Sequence, residues 1–247
     1  MLKISVITVC YNAADTLQGT LDSVEIQDYQ NIEYIVVDGG SKDGTMDLVK
    51  ACPRVDRWVS EPDMGLYDAI NKGIGMASGD YVGLIHADDF FASPNVISNM
   101  EALLQDRGTD GLYADLQYVQ QADTDQVHRN WVSEGYDVQD FYKGWMPPHP
   151  TFYCKRELFA ELGGYRLDFG SAADYELMLR FMVKHGISMS YLPEVMVKMR
   201  VGGASNVSWQ ARWKANQMDA RAWEVNGLEP KFYTRYAKPL RKLVQFF

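Results

Sequence analysis

The sequence predicts an α/β protein with a mostly parallel sheet flanked by helices, and three observations predict it. β-Branched, nearly continuous apolar runs alternate with segments of helical spacing. Carboxylates stand at the ends of several of those runs. The 247 residues, 47% hydrophobic and 23% charged, match a soluble globular chain large enough for a sizeable core.

The elements follow in order. "KISVITVCY" and "NIEYIVVDGG" read as strands, and between them "ADTLQGTLDSVEIQ" sets Leu17, Leu21 and Val24 on one helical face. Thr45 is placed to cap a second helix, "MDLVKAC". "DRWVS" is a short third strand, Leu66, Ala69, Ile70 and Gly73 mark a third helix, and "DYVGLIH" is a fourth strand. In such sheets ligands bind outside the carboxyl ends of the strands. Asp38 ends the second strand, Asp63 follows the third and Asp88-Asp89 follow the fourth, so the acids fall where that rule points.

Beyond them, Ser93-Pro94 suits the start of the helix "NVISNMEALLQD". "GLYADLQYVQQ" reads as strand and "DTDQVHRNW" as a hairpin tip. "RELFAELGGY" and "DYELMLRFMVKHG" are helical, the second stopping at His185-Gly186. "SMSYLPEVMVKMR" reads as two short strands broken at Pro193. Without repeats or low-complexity linkers, one domain over residues 1–206 and a basic amphipathic helical extension over 207–247 are expected.

A net charge of −9 excludes general nucleic-acid binding, which needs a basic footprint. The charge is uneven: from Ala211 to Phe247 eight Lys or Arg face three acids, leaving the rest of the chain at −14. The tail "YAKPLRKLVQFF" therefore suits either peripheral contact with an anionic membrane through 231–247 or a helix docked on the domain with solvated cations. Three cysteines without CxxC spacing fit neither a disulfide framework nor a zinc knuckle. No apolar run reaches the roughly 18 residues that span a bilayer. The expected place is the cytoplasm, including the inner face of its membrane.

No glycine-rich phosphate loop follows the first strand, which ends "CYNAADT", and "GIGMASG" lies between a helix and a strand. A dinucleotide fold is disfavoured. An acidic chain without such a loop needs a metal ion to hold a nucleoside diphosphate, and Asp88 and Asp89 offer oxygen ligands for Mg²⁺ or Mn²⁺. An Asx-turn is the plainer use of the same pair.

"SVITVCYN", "YIVVDGGSKDGT", "EPDMGLYDAINKGIGMASGDYVGLIHADD", "HPTFYCKRELFAELGGY" and "AADYELMLR" together resemble, in order, the inverting glycosyltransferases of family 2 with the GT-A fold, over residues 3 to 206. That resemblance implies transfer of one sugar from a nucleoside-diphosphate sugar, UDP or GDP type, to a hydroxyl of a glycan or lipid-linked acceptor in cell-surface polysaccharide synthesis. It implies that Thr8 and Tyr11 cradle the base, and that Asp38 hydrogen-bonds it or caps the "GGSKDGT" turn. Asp68, Asn71 and Lys72 match a donor-facing helix; a solvated helix face fits them equally.

Asp88 matches the acid that holds the metal, with Asp89 beside it. His86 occupies a position often filled by Asp or Asn, as a ligand or as a packed core histidine. Asp174 matches the catalytic base, although Ser171-Ala172-Ala173-Asp174 also reads as a capping box. His149 aligns on the acceptor side, or is a loop histidine bonded to backbone. "RVGGASN" resembles a lid loop in which Arg200 meets the diphosphate. "WQARW" is one residue short of the signature of processive synthases, so single-sugar addition is expected. A sugar nucleotidyltransferase and a catalytically silent nucleotide-sugar or glycan binder are the rivals.

Overall fold

The computed structural model describes residues 1–202 and 209–234, with the backbone alone for 209–216. The proposed domain boundary at 206, the side chains of "WQARW", and the tail beyond 234 lie outside the described residues, as does most of the "RVGGASN" loop.

Four strands build the parallel half of the sheet: β1 (Ile4–Cys10), β2 (Ile32–Asp38), β3 (Arg57–Ser60) and β4 (Tyr81–Leu84). Every residue of β1 and β2 is buried, which explains their continuous apolar reading. The chain runs β1 to β2 to β3 in one direction and then places β4 on the other side of β1, giving the order β3-β2-β1-β4. This reversal opens a crevice above the carboxyl ends of β1 and β4, the place where such sheets take ligands.

Helix α1 (Ala14–Glu25) buries Leu17, Leu21 and Val24 as the spacing predicts, each worth about 1.5–3 kcal/mol in area removed from water. α2 (Thr45–Ala51) begins one residue earlier than a Thr45 cap would have it, with Gly44 as its N-cap at φ 92°. α3 (Leu66–Met76) closes on β1 through Gly73: a Cβ there would lie 2.5 Å from the Ile7 Cγ2. Gly73 of the glycine cluster therefore serves helix-to-sheet packing.

The second half is mixed. β5 (Asp89–Phe91), β6 (Gly111–Val119), β7 (Val127–Trp131), β8 (Tyr153–Lys155) and β9 (Met189–Arg200) extend the order to β4-β8-β6-β9-β5, with β7 paired to β6. β8 is antiparallel to β4 and β6, and β9 is parallel to β6. The stretch read as two strands broken at Pro193 is one strand with a bulge: Leu192 pairs Ala114 and Val195 pairs Asp115, so Pro193 and Glu194 bulge out and the missing proline N–H is not needed by the ladder. "DTDQVHRNW" is the expected hairpin, β6 with β7.

Helices α4 (Val96–Arg107), α5 (Val138–Tyr142), α6 (Arg156–Leu162), α7 (Ala173–Met178) and α8 (Trp209–Val225) complete the chain. α4 starts two residues after Pro94, with Asn95 at the N-cap position and no side-chain cap. α7 widens into a π-type turn over Leu179–Lys184 and stops at His185, with Gly186 at φ 62°, as its sequence predicts. No described helix is long and apolar enough to cross a membrane.

Candidate active site

The turn between β4 and β5 carries His86 and Asp88, Asp89 opens β5, and α1 braces them. The Thr20 hydroxyl donates to the Asp89 carbonyl at 2.6 Å, and the Asp89 N–H donates back to the His86 carbonyl at 3.0 Å. Arg200, at the end of β9, donates from Nη1 to the Asp88 carbonyl at 2.7 Å and lies over the Phe90 ring at 4.7 Å. Gly19 makes room for it, because a Cβ there would meet the guanidinium at 2.7 Å. The arginine expected on a diphosphate thus holds the turn that presents Asp88.

Asp89 departs from its expected role. Its side chain is fully buried and both carboxylate oxygens lack a hydrogen-bond partner. Burial, then the neighbouring Asp88 charge, pushes its carboxyl well above the usual range, against the opposing pull of Arg200. A carboxyl sealed from solvent is not presented to a cation, so Asp88, half-buried, is the carboxylate of the pair suited to a ligand.

His86 Nε2 lies 2.8 Å from His149 Nε2, and His149 Nδ1 lies 3.5 Å from Asp174 Oδ2. Burial pushes the His86 imidazole down to about 4, His149 adds to the effect, and Asp88 and Asp174 oppose it. His149, whose side chain keeps 31% of its exposure, is lowered by the same burial. Both rings are neutral at neutral pH.

Asp174 comes to them on the first turn of α7. The helix starts at Ala173 with Ala172 as N-cap and no side-chain cap, so the capping box that the sequence allows is not formed. Its carboxylate instead meets the Tyr67 hydroxyl from α3; burial, and next the Asp174 charge, push that hydroxyl far above its usual value. Tyr67 stacks on Tyr165 at 5.4 Å between ring centroids. Sequence reasoning missed Tyr67, although its i, i+4 relation to Asn71 sets both on one face of α3.

Asn71 is not presented to a ligand. Its amide donates to the Tyr165 carbonyl and accepts from the Tyr165 N–H, both at 2.8 Å, which ties α3 to the 162–165 strap. Arg180 grips the same strap from α7, donating to the carbonyls of Leu162, Gly163 and Gly164 while paired with buried Glu176 at 3.0 Å. Asp68 and Lys72 form a surface network: Lys72 lies 3.0 Å from Glu61 and 3.6 Å from Asp68, whose carboxylate caps the Met64 N–H. That is the solvated helix face.

At the ends of β1 and β2 the expected base-binding residues separate. Thr8 is buried, its hydroxyl bonded to the Ile85 carbonyl and the Tyr34 hydroxyl at 2.9 Å, so it faces no crevice. Asp38 accepts from the N–H groups of Gly40 and Ser41 and from the hydroxyls of Ser41 and Ser60. Against the upward push of burial, these donors hold its carboxyl below the usual range. Asp38 caps its own turn, the plainer of its two readings. Tyr11 is 66% exposed and stands beside Gly39, where a Cβ would lie 3.3 Å from the Tyr11 ring and 2.6 Å from Asp63 Oδ2. The other Asp63 oxygen accepts from the Gly65 N–H at 2.7 Å. From the sequence Asp63 is only an acid after a strand; the fold pairs it with Tyr11 around a bare backbone.

Among the described residues no three His, Cys, Asp or Glu gather as a preformed metal site. Such a cage is not required of Mg²⁺ or Mn²⁺ on a nucleotide, which one or two carboxylates and the phosphates themselves hold. Asp88 and one imidazole nitrogen of His86 fit that reduced demand.

Residues 5–165 match the model of the family described as glycosyl transferase family 2. A relative from Mycobacterium tuberculosis, an uncharacterised glycosyltransferase, is 38% identical over 180 residues, 72% of this chain and 68% of the relative. A glycosyltransferase of PGL/p-HBAD biosynthesis from Mycobacterium bovis is 26% identical over 208 residues, 82% of this chain and 78% of its own. Among solved structures, S. aureus TarS with UDP-GlcNAc superposes at TM-score 0.72 and 18% identity, covering 93% of this chain and 68% of TarS. A Pyrobaculum calidifontis mannosyltransferase with GDP-Man and Mn²⁺ does so at 0.66 and 21%, covering 98% and 73%.

Proposed function

This chain belongs to glycosyl transferase family 2 and is a glycosyltransferase of the GT-A fold, and from that premise we propose that it transfers one sugar from a nucleoside-diphosphate sugar to an acceptor hydroxyl with inversion. The observation that carries the proposal is the approach of Asp174, from α7, through His149 to His86 in the turn that also presents Asp88. One carboxylate suffices for such chemistry. Asp174 takes the acceptor O–H proton, the acceptor oxygen forms a bond to the anomeric carbon, and the bond from that carbon to the diphosphate oxygen breaks on the opposite face. In this reading Tyr11 and Asp63, which flank Gly39, receive the base and its sugar.

A divalent cation bound with the donor would be held by Asp88 with His86, and would supply charge neutralisation for the leaving diphosphate. The Mn²⁺ and GDP-Man of the mannosyltransferase, and the UDP-GlcNAc of TarS, are in keeping with such a donor and cation. The acceptor proposed is a glycan or a lipid-linked glycan in cell-surface polysaccharide synthesis, reached from the cytoplasmic face with the basic residues of 231–247 near the membrane.

Asp174→Asn tests the reading against a catalytically silent binder. Donor affinity by titration calorimetry should hold while transfer falls by about 10²–10⁴-fold. Transfer at the unsubstituted rate would remove Asp174 from the chemistry.

A further inference from the structure

The two imidazoles beside Asp174 constrain each other more tightly than either role proposed for them requires. Two Nε2 atoms 2.8 Å apart share one proton, since a neutral imidazole carries a hydrogen on only one nitrogen. If His149 held that proton, its Nδ1 would turn a lone pair toward the Asp174 carboxylate 3.5 Å away. If His86 holds it, His149 accepts at Nε2 and points Nδ1–H at the carboxylate, and no lone pairs oppose. The Tyr67 hydroxyl approaches the same carboxylate from α3, so the acid is gripped on two sides.

We infer that His86, His149 and Asp174 form a directed chain, in which His149 is a positioning residue for the Asp174 carboxylate and His86 fixes the tautomer in which His149 can do so. The inference rests on Asp174 being the base. It gives the His86 N–H a use that a carboxylate at that position could not fill. It also assigns the nitrogen that His86 offers to a ligand: Nε2 is spent on His149, so Nδ1 is the free lone pair. The 3.5 Å separation is longer than a good hydrogen bond. Such contacts tighten when the acceptor enters.

The decisive measurement needs no activity. In the full chain labelled with ¹³C and ¹⁵N, ring nitrogens are linked to assigned backbone resonances, and long-range ¹H–¹⁵N correlations separate protonated from bare nitrogens. The exposed His185 serves as an internal reference. The expected result is Nδ1–H for His149 and Nε2–H for His86. In Asp174→Ala the preference of His149 should relax, moving the nitrogen shifts of His86, a residue one link further along the chain. Nε2–H at His149, or unchanged His86 shifts in Asp174→Ala, would overturn the inference.

A kinetic arm separates positioning from bulk packing. His149→Asn keeps an N–H near the place of Nδ1, and His149→Gln does not. The glutamine variant should lose about 100-fold in kcat, the asparagine variant about 10-fold or less, with donor KM unchanged in both. Equal losses, or losses confined to donor KM, would count against it. If the unsubstituted protein transfers no sugar, the functional reading falls while the tautomer measurement still decides the chain.

Discussion

His149 Nδ1 and Asp174 Oδ2 face each other at 3.5 Å across the gap between the 149–151 turn and the first turn of α7. Neither residue sits on the parallel half of the sheet. The proposed donor side of the crevice is built by β1, β2 and β4, and the proposed base comes from the mixed half. The strap at 162–165 joins the two, held by Asn71 from α3 and by Arg180 from α7. This division of labour yields separable expectations.

Donor binding should respond to Tyr11 alone among the aromatic residues near the first strand. Tyr11→Ala removes a stacking face worth about 1–3 kcal/mol per base, so nucleoside diphosphate affinity should fall on the order of ten-fold or more. Tyr11→Phe keeps the face and should bind within about two-fold, a difference of a few tenths of a kcal/mol. Titration with UDP and GDP checks both, and equal binding by the alanine variant would remove Tyr11 from the base site.

The Glu176–Arg180 pair should matter to stability far more than a surface pair at the same spacing. Arg180 is 8% exposed and Glu176 fully buried, so Arg180→Met leaves an unpaired buried carboxylate and three strap carbonyls without donors. A loss of about 3–5 kcal/mol in urea unfolding is expected. A change under about 1 kcal/mol, the surface value, would show that the strap is held by other contacts.

Asp89 predicts a pH dependence of definite sign. Its folded value is raised above the ordinary 3.8, so the folded state binds the proton that the unfolded state releases. Its contribution is thus fully present below pH 3.8 and is lost progressively as pH rises toward the folded value. Asp89→Asn removes that dependence. The variant should gain stability over the parent above pH 3.8, by roughly 1.4 kcal/mol for each unit that separates the two values. Denaturant unfolding between pH 4 and 8 measures it, and parallel curves for the two proteins would contradict the assignment.

Much of the first half of the fold was legible because its signals are local. Leu17, Leu21 and Val24 share a face in any α-helix, and a strand buried on both sides is mostly apolar. The mixed half was less legible: whether β8 runs antiparallel between β4 and β6 depends on pairings across the sheet that no short window contains. Within the site, residue type told more than residue use. The sequence shows that Asp38, Asn71, Asp88, Asp89 and Asp174 are chemically able, but only the fold shows that Asp38 bonds its own turn and Ser60, that Asn71 bonds the Tyr165 backbone, and that Asp89 is sealed. The His86–His149 contact joins positions 86 and 149 through the third dimension, and nothing in either local stretch announces it.

Helix α8 bears on α7 from outside: the Trp223 indole N–H donates to the Tyr175 hydroxyl at 2.9 Å, Asn226 donates to Glu176 at 3.1 Å, and Arg221 holds Asp168 in the turn before α7. Residues on both sides of Asp174 in sequence are thereby moored to a segment beyond the span that matches the family. Ending the chain at residue 202, before α8, would keep Asp174 and its neighbours yet loosen the first turn of α7, so a trimmed protein that still bound nucleotide but turned over slowly would be showing a lost abutment.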